Sequence, residues 1–164
     1  MRVDVLGKVL LCAVLSAGLP VAAAESSGDY GANLSRIYFA HQRLLALREA
    51  CDQALPAQAK AGEKAYAAWQ ARHKALLNEL DARLTLMIRG ASKDEKEYMR
   101  NVGKYEGSIL EYRTENRDQI LAQPRDGIEQ VCADFRNYLT GSGSDFHKDY
   151  ADELRELRKR KLPK

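Results

Sequence analysis

The chain has 164 residues, with 26 Lys and Arg against 23 Asp and Glu. Its first 24 residues read as a removable segment, and the remaining 140 carry 24 basic and 22 acidic side chains, a net charge of +2. So small a balance excludes a surface built for general polyanion binding, while 140 residues suffice for one domain with its own core.

Met1–Ala24 has the layout of a secretory signal. Arg2 and Lys8 make a positive start, Val9–Leu15 is apolar, and Ala22, Ala23 and Ala24 put small residues ahead of a cut before Glu25. The apolar stretch is too short to cross a bilayer, and no later run is long enough, so no transmembrane span is expected after cleavage. The expected location is periplasmic or secreted. Cys12 leaves with the signal, and Cys51 and Cys132 remain as a pair that an oxidising compartment would join. The bond closes a loop of 82 residues, counting both cysteines. In the chain-entropy account such a closure is worth ~4.5 kcal/mol.

Glu25–Gly31 reads as a flexible leader, and from there the apolar residues recur at helical spacing. A first helix is predicted over 33–55, with Leu34, Ile37, Tyr38, His41, Leu44, Cys51 and Leu55 on its stripe, stopped or kinked by Pro56. A second, alanine-rich helix spans 57–89, with Tyr66, Trp69, His73, Leu76, Leu80, Leu84 and Met87 in line and Gly90 as a left-handed cap. Ser92–Glu95 reads as a capping box opening a third helix that runs to about Leu121. Its stripe is Tyr98, Val102, Tyr105, Ile109, Tyr112, Asn116 and Ile120. A fourth helix is predicted over 125–140, with Ile128, Val131, Cys132, Phe135 and Leu139 on one face. Gly141–Ser144 reads as a break, followed by an amphipathic segment over 145–161.

These elements predict an all-α fold: a disulfide-linked up-down four-helix bundle, residues 32–141, with an additional C-terminal amphipathic helix within 142–164. In an up-down arrangement the end of the first helix and the start of the fourth share one end of the bundle, which is where Cys51 and Cys132 fall. The second and third helices outrun the first, so their hairpin should overshoot by ~15 Å, carrying Met87, Ile88 and Met99 at its tip.

Sequence signatures of catalysis are missing. There is no Gly-x-Ser-x-Gly, no glycine-rich phosphate loop, no Cys-x-x-Cys-His and no Glu-x-x-His of the di-iron bundles. Glu79, Asp81, Glu95, Glu97, Glu111 and Glu115 read as solvated helix charges, and no cofactor or metal is expected. His41 and His73 both fall on core stripes. With Tyr66, Trp69 and Tyr105 they define an alternative reading, a small-ligand or metal-binding bundle. The most asymmetric feature is the end of the chain, where residues 155–164 hold six basic side chains and one acidic.

The leading expectation is a non-enzymatic exported protein, such as an adaptor, a chaperone-like factor or an inhibitor. It would act on another exported or envelope protein, or on an anionic envelope surface. Its expected contact surfaces are the hairpin tip (Met87, Ile88, Met99) and a mobile basic tail (Arg155, Arg158, Lys159, Arg160, Lys161). Nucleic acid is not expected as a partner of an exported chain.

Overall fold

The computed structural model describes residues 29–141 and 144–162. The expected signal, most of the leader, and residues 142–143 and 163–164 lie outside them. The described residues form helices only: α1 (Tyr30–Ala54), α2 (Pro56–Gly90), α3 (Glu95–Leu121), α4 (Arg125–Thr140), α5 (Phe146–Asp149) and α6 (Ala151–Arg158). None is long and apolar enough to cross a membrane.

Helix α1 starts earlier than its periodicity suggested. The Asp29 carboxylate accepts from the Ala32 amide at 3.1 Å, an N-cap that brings Tyr30 and Gly31 into the helix rather than the leader. A single residue, Leu55, separates α1 from α2. Pro56 ends one helix and starts the next, because its fixed φ and missing amide proton suit the first helical position. Gly90 takes no left-handed turn; it stays helical, and Ala91 (φ −88°, ψ 3°) is the cap. The N-cap of α3 is Asp94, not Ser92. Asp94 accepts from the Glu97 amide at 2.8 Å, and Glu97 reaches back to the Lys93 amide at 2.9 Å. The Ser92 hydroxyl instead donates to the Ile88 carbonyl oxygen at 2.7 Å.

The helical bundle carries the expected disulfide. Cys51 near the end of α1 meets Cys132 in α4 with Cα atoms 5.6 Å apart. The order of packing is less regular than an up-down square. Helix α1 lies between α2 and α3 and packs extensively on both, while α2 and α3 touch each other little. Tyr38 packs edge-on to Tyr105, Phe39 to Tyr112, and Glu49 pairs with Arg113, so α1 and α3 run parallel. Because α1 also meets α4 and α6, it is covered on several sides. Asn33, Gln42, Ala46 and Ala50 are therefore buried along with the expected Leu34, Ile37 and Leu44. Helix α3 is the opposite case and buries no residue fully.

The C-terminal segment is part of this core. The single amphipathic stretch expected over 145–161 breaks at Tyr150 into α5 and α6. Phe146, Leu154 and Leu157 are buried in the same apolar cluster as Trp69, Leu80 and Leu139.

Candidate functional site

His41 and His73 are both brought to Trp69, yet they do not converge as ligands. Their rings stack on the indole with centroids 6.0 Å and 4.4 Å away. His41 Nε2 is engaged with the Tyr66 hydroxyl at 3.0 Å. His73 Nδ1 donates to the Trp69 carbonyl oxygen at 2.9 Å, and its Nε2 accepts from the Phe146 amide at 3.3 Å. His41 Nε2 and both nitrogens of His73 are thus engaged with neighbours within the protein. Among the described residues no group of three or more His, Cys, Asp or Glu is arranged to hold a metal ion. Burial holds His41 well below its ordinary value, to about 4, with the Arg113 and Arg48 guanidinium groups adding to the effect. Tyr105, the last residue of the alternative reading, lies apart from this stack on α3, against Tyr38.

The stack anchors the segment after α4. Trp69 Nε1 donates to the Ser144 carbonyl oxygen at 3.2 Å, and Arg72 to the Leu139 carbonyl oxygen at 2.7 Å. Phe146 packs edge-on against Trp69 at 5.0 Å. One turn after another, α2 continues the grip. Arg83, 4% exposed, donates to the Leu157 and Arg160 carbonyl oxygens at 2.8 and 2.9 Å. The Leu157 carbonyl also accepts from the Arg160 amide at 3.2 Å, so the guanidinium closes over the turn that follows α6. Glu79, expected to be a solvated charge, bridges Arg83 and Arg158 at 2.8 Å each. Its pKa is lowered, first by the hydrogen bond from Arg158.

This arrangement corrects the mobile basic tail. Arg158 is held by Glu79, Lys159 by Glu156, and Arg155 by Asp152, while Arg160 lies over the Tyr30 ring at 4.7 Å. Lys161 is exposed. The hairpin tip also differs from expectation. Ile88 is buried and Met87 packs against the core, its sulfur beside Gly31. The earlier start of α1 is the reason, because its first turn covers the end of α2. Met99 is 60% exposed.

Two recesses that share Asp81 open beside α2, the first between α1 and α2 and the second in the cleft between α2 and α3. One, of about 440 Å³, is lined by His41 of α1 and by Ala67, Gln70, Ala71, Lys74, Leu77 and Asn78 of α2. The other, of about 350 Å³, has Tyr38 of α1 as its floor, with Leu84, Thr85 and Ile88 on one wall and Tyr98, Val102, Tyr105, Glu106 and Ile109 on the other. Tyr98 is flanked by Arg89, whose guanidinium lies over its ring at 3.5 Å and which pairs with Glu95. The Tyr105 hydroxyl oxygen is buried and has no hydrogen-bond partner, and burial, then Tyr38, pushes its pKa up to about 12. Desolvation also raises Asp81. Leu110, beside Ile109 on α3, is 65% exposed.

Comparison with family models, curated proteins and solved structures finds no match to this chain.

The tyrosines of this cleft were visible in the sequence as the α3 stripe, and Tyr105 entered the alternative ligand-binding reading. The signal for an incomplete interface was the composition of that stripe. It mixes Tyr, Asn and a single Val with two Ile, whereas the α2 stripe is built largely from Leu and Trp. The clamp residues Arg72 and Arg83 gave a weaker signal, the four-residue spacing of Glu79 and Arg83 being their one trace.

Proposed function

We propose that this chain is a non-enzymatic exported interaction protein, and that the α2–α3 cleft is where it holds its partner. One observation carries the reading: α3, 27 residues long, buries none of them fully and leaves its tyrosine and aliphatic stripe lining an open cleft. A helix of that length packed mainly on one neighbour, α1, is the form of a helix awaiting another. The Cys51–Cys132 bond fits an oxidising compartment. Between the two partner classes expected, another exported protein is favoured over an anionic envelope surface, because Arg155, Arg158 and Lys159 are engaged by acidic side chains and Arg160 by Tyr30.

The test is site-specific photo-crosslinking in the producing cell. A photoreactive residue at Leu110 is expected to give a discrete adduct that Thr85→Arg, which fills the cleft, removes. The same probe at Lys60, exposed elsewhere on α2, should give none. Labelling from Leu110 that ignores Thr85→Arg, or that matches Lys60, would overturn the proposal.

A further inference from the structure

Resting on that reading, we infer that the Tyr38–Tyr105 recess receives a basic amphipathic helix of the partner, with one arginine seated between Asp81 and Glu106. The charge pattern comes first. Asp81 and Glu106 line the recess, and neither forms an ion pair among the described residues. The nearby arginines are committed. Arg113 is held by Glu49, and Arg89 by Glu95 and the Tyr98 ring; Lys74 lines the other recess together with Asp81 but forms no ion pair with it. Two carboxylates in an aromatic recess without an internal counter-ion are complementary to a cation.

The aromatic surfaces indicate which cation. Among the described residues a guanidinium lies on a tyrosine ring three times: Arg89 on Tyr98 at 3.5 Å, Arg48 on Tyr66 at 4.7 Å and Arg160 on Tyr30 at 4.7 Å. The Tyr38–Tyr105 pair, with centroids 5.9 Å apart, has no such cation among them. A guanidinium can stack on a tyrosine ring and donate to a neighbouring carboxylate at once, which a lysine ammonium does less well.

The walls indicate the shape of the occupant. Both are α-helices whose backbone groups are already paired, so no edge exists to hydrogen-bond an extended peptide. Leu84, Ile88, Val102 and Ile109 offer side chains only, the surface that takes the apolar face of another helix. Together with the neighbouring recess that shares Asp81, the lining on α2 extends from Ala67 to Ile88, about 30 Å of helix.

The decisive experiment uses chain 25–164 with its disulfide intact. Three labelled helical peptides of about 18 residues have leucine on one face and arginine, glutamine or glutamate on the other. Binding is followed by fluorescence anisotropy at low salt. The arginine peptide is expected to bind about tenfold or more tightly than the other two. Asp81→Asn with Glu106→Gln should abolish that preference while leaving the melting temperature unchanged, and Thr85→Arg should block binding. Equal binding of the glutamine or glutamate peptide, still blocked by Thr85→Arg, would overturn the arginine inference and leave the docking cleft standing. Binding untouched by Thr85→Arg, or no binding of any peptide, would overturn both. A dimer in sedimentation that Thr85→Arg disperses would make a second copy the occupant and overturn the inference.

Discussion

Trp69 donates its indole N–H to the carbonyl oxygen of Ser144, 75 residues later in the chain, across 3.2 Å. That bond joins the middle of α2 to the crossover between α4 and α5, inside the core. Trp69 is fully buried and is the only tryptophan. Trp69→Phe keeps an aromatic ring but leaves the buried carbonyl without this donor, at a cost of ~1–3 kcal/mol plus some lost packing. For a domain of this size each kcal/mol moves the melting temperature by about 3–5 °C. A drop of about 5–10 °C by circular dichroism is the expected outcome. An unchanged melt would show that the bond is replaced by water.

Arg83 is expected to control the order of α6. Its guanidinium takes both Leu157 and Arg160 carbonyls and is paired with Glu79. Arg83→Met has similar bulk but satisfies none of these groups. The expected result is a loss of ~3 kcal/mol, because Glu79 and the helix-end carbonyls lose a buried partner. Limited trypsin digestion should then cut after Arg155, Arg158 and Lys159 faster than in the unaltered protein. Equal cleavage rates would show that Phe146, Leu154 and Leu157 hold α6 without help.

Much of this was legible in sequence, and the limits have physical causes. Helix boundaries came within a few residues because Pro56, Pro124 and the glycines punctuate the chain strongly. The disulfide followed from two cysteines at matching heights. What periodicity could not show was that α1 is central. A helix covered on several sides has no single apolar face, so Ala46 and Ala50 look like filler although both are 0% exposed. The same arrangement hid the cleft, since α3 gives its stripe to α1 and to solvent rather than to α2. Charged residues were least legible. Glu79 and Glu153 look like any exposed helix acid until α6 folds back over α1 and α2, where Glu153 meets Arg36 at 2.8 Å.

The disulfide should contribute a large share of stability. Cys51 and Cys132 are separated by 81 positions, and opening the bond frees that loop in the unfolded chain. The expected loss is ~4–5 kcal/mol in the entropic account. Cys51→Ser with Cys132→Ser should lower the urea midpoint by about 2 M if the slope is ~2 kcal/mol per M. The folded far-ultraviolet spectrum should survive at low denaturant, because the remaining core is intact. A midpoint shifted by less than about 0.5 M would mean that the unfolded chain is already compact around these residues.

His41 should make the protein acid-sensitive in a defined window. In the fold its pKa is lowered to about 4, first by burial and then by Arg113 and Arg48, and its Nε2 faces the Tyr66 hydroxyl. In the unfolded chain the imidazole titrates near ~6.5. A depressed folded value means that the unfolded state takes up the proton first. The neutral ring's contribution is therefore complete above pH ~6.5 and is lost as pH falls towards ~4, a total on the order of 2–3 kcal/mol. Glu79, lowered mainly by Arg158, adds a loss of the same sign further down, below the ordinary glutamate range. His41→Gln preserves a partner for Tyr66 and has nothing to titrate. Urea unfolding at pH ~7 and pH ~4.5 should show the variant losing ~2 kcal/mol less than the unaltered protein across that interval. His73 and His147 are present in both proteins, so the difference isolates His41. Identical losses would place the acid sensitivity elsewhere and leave the His41 ring a packing element only.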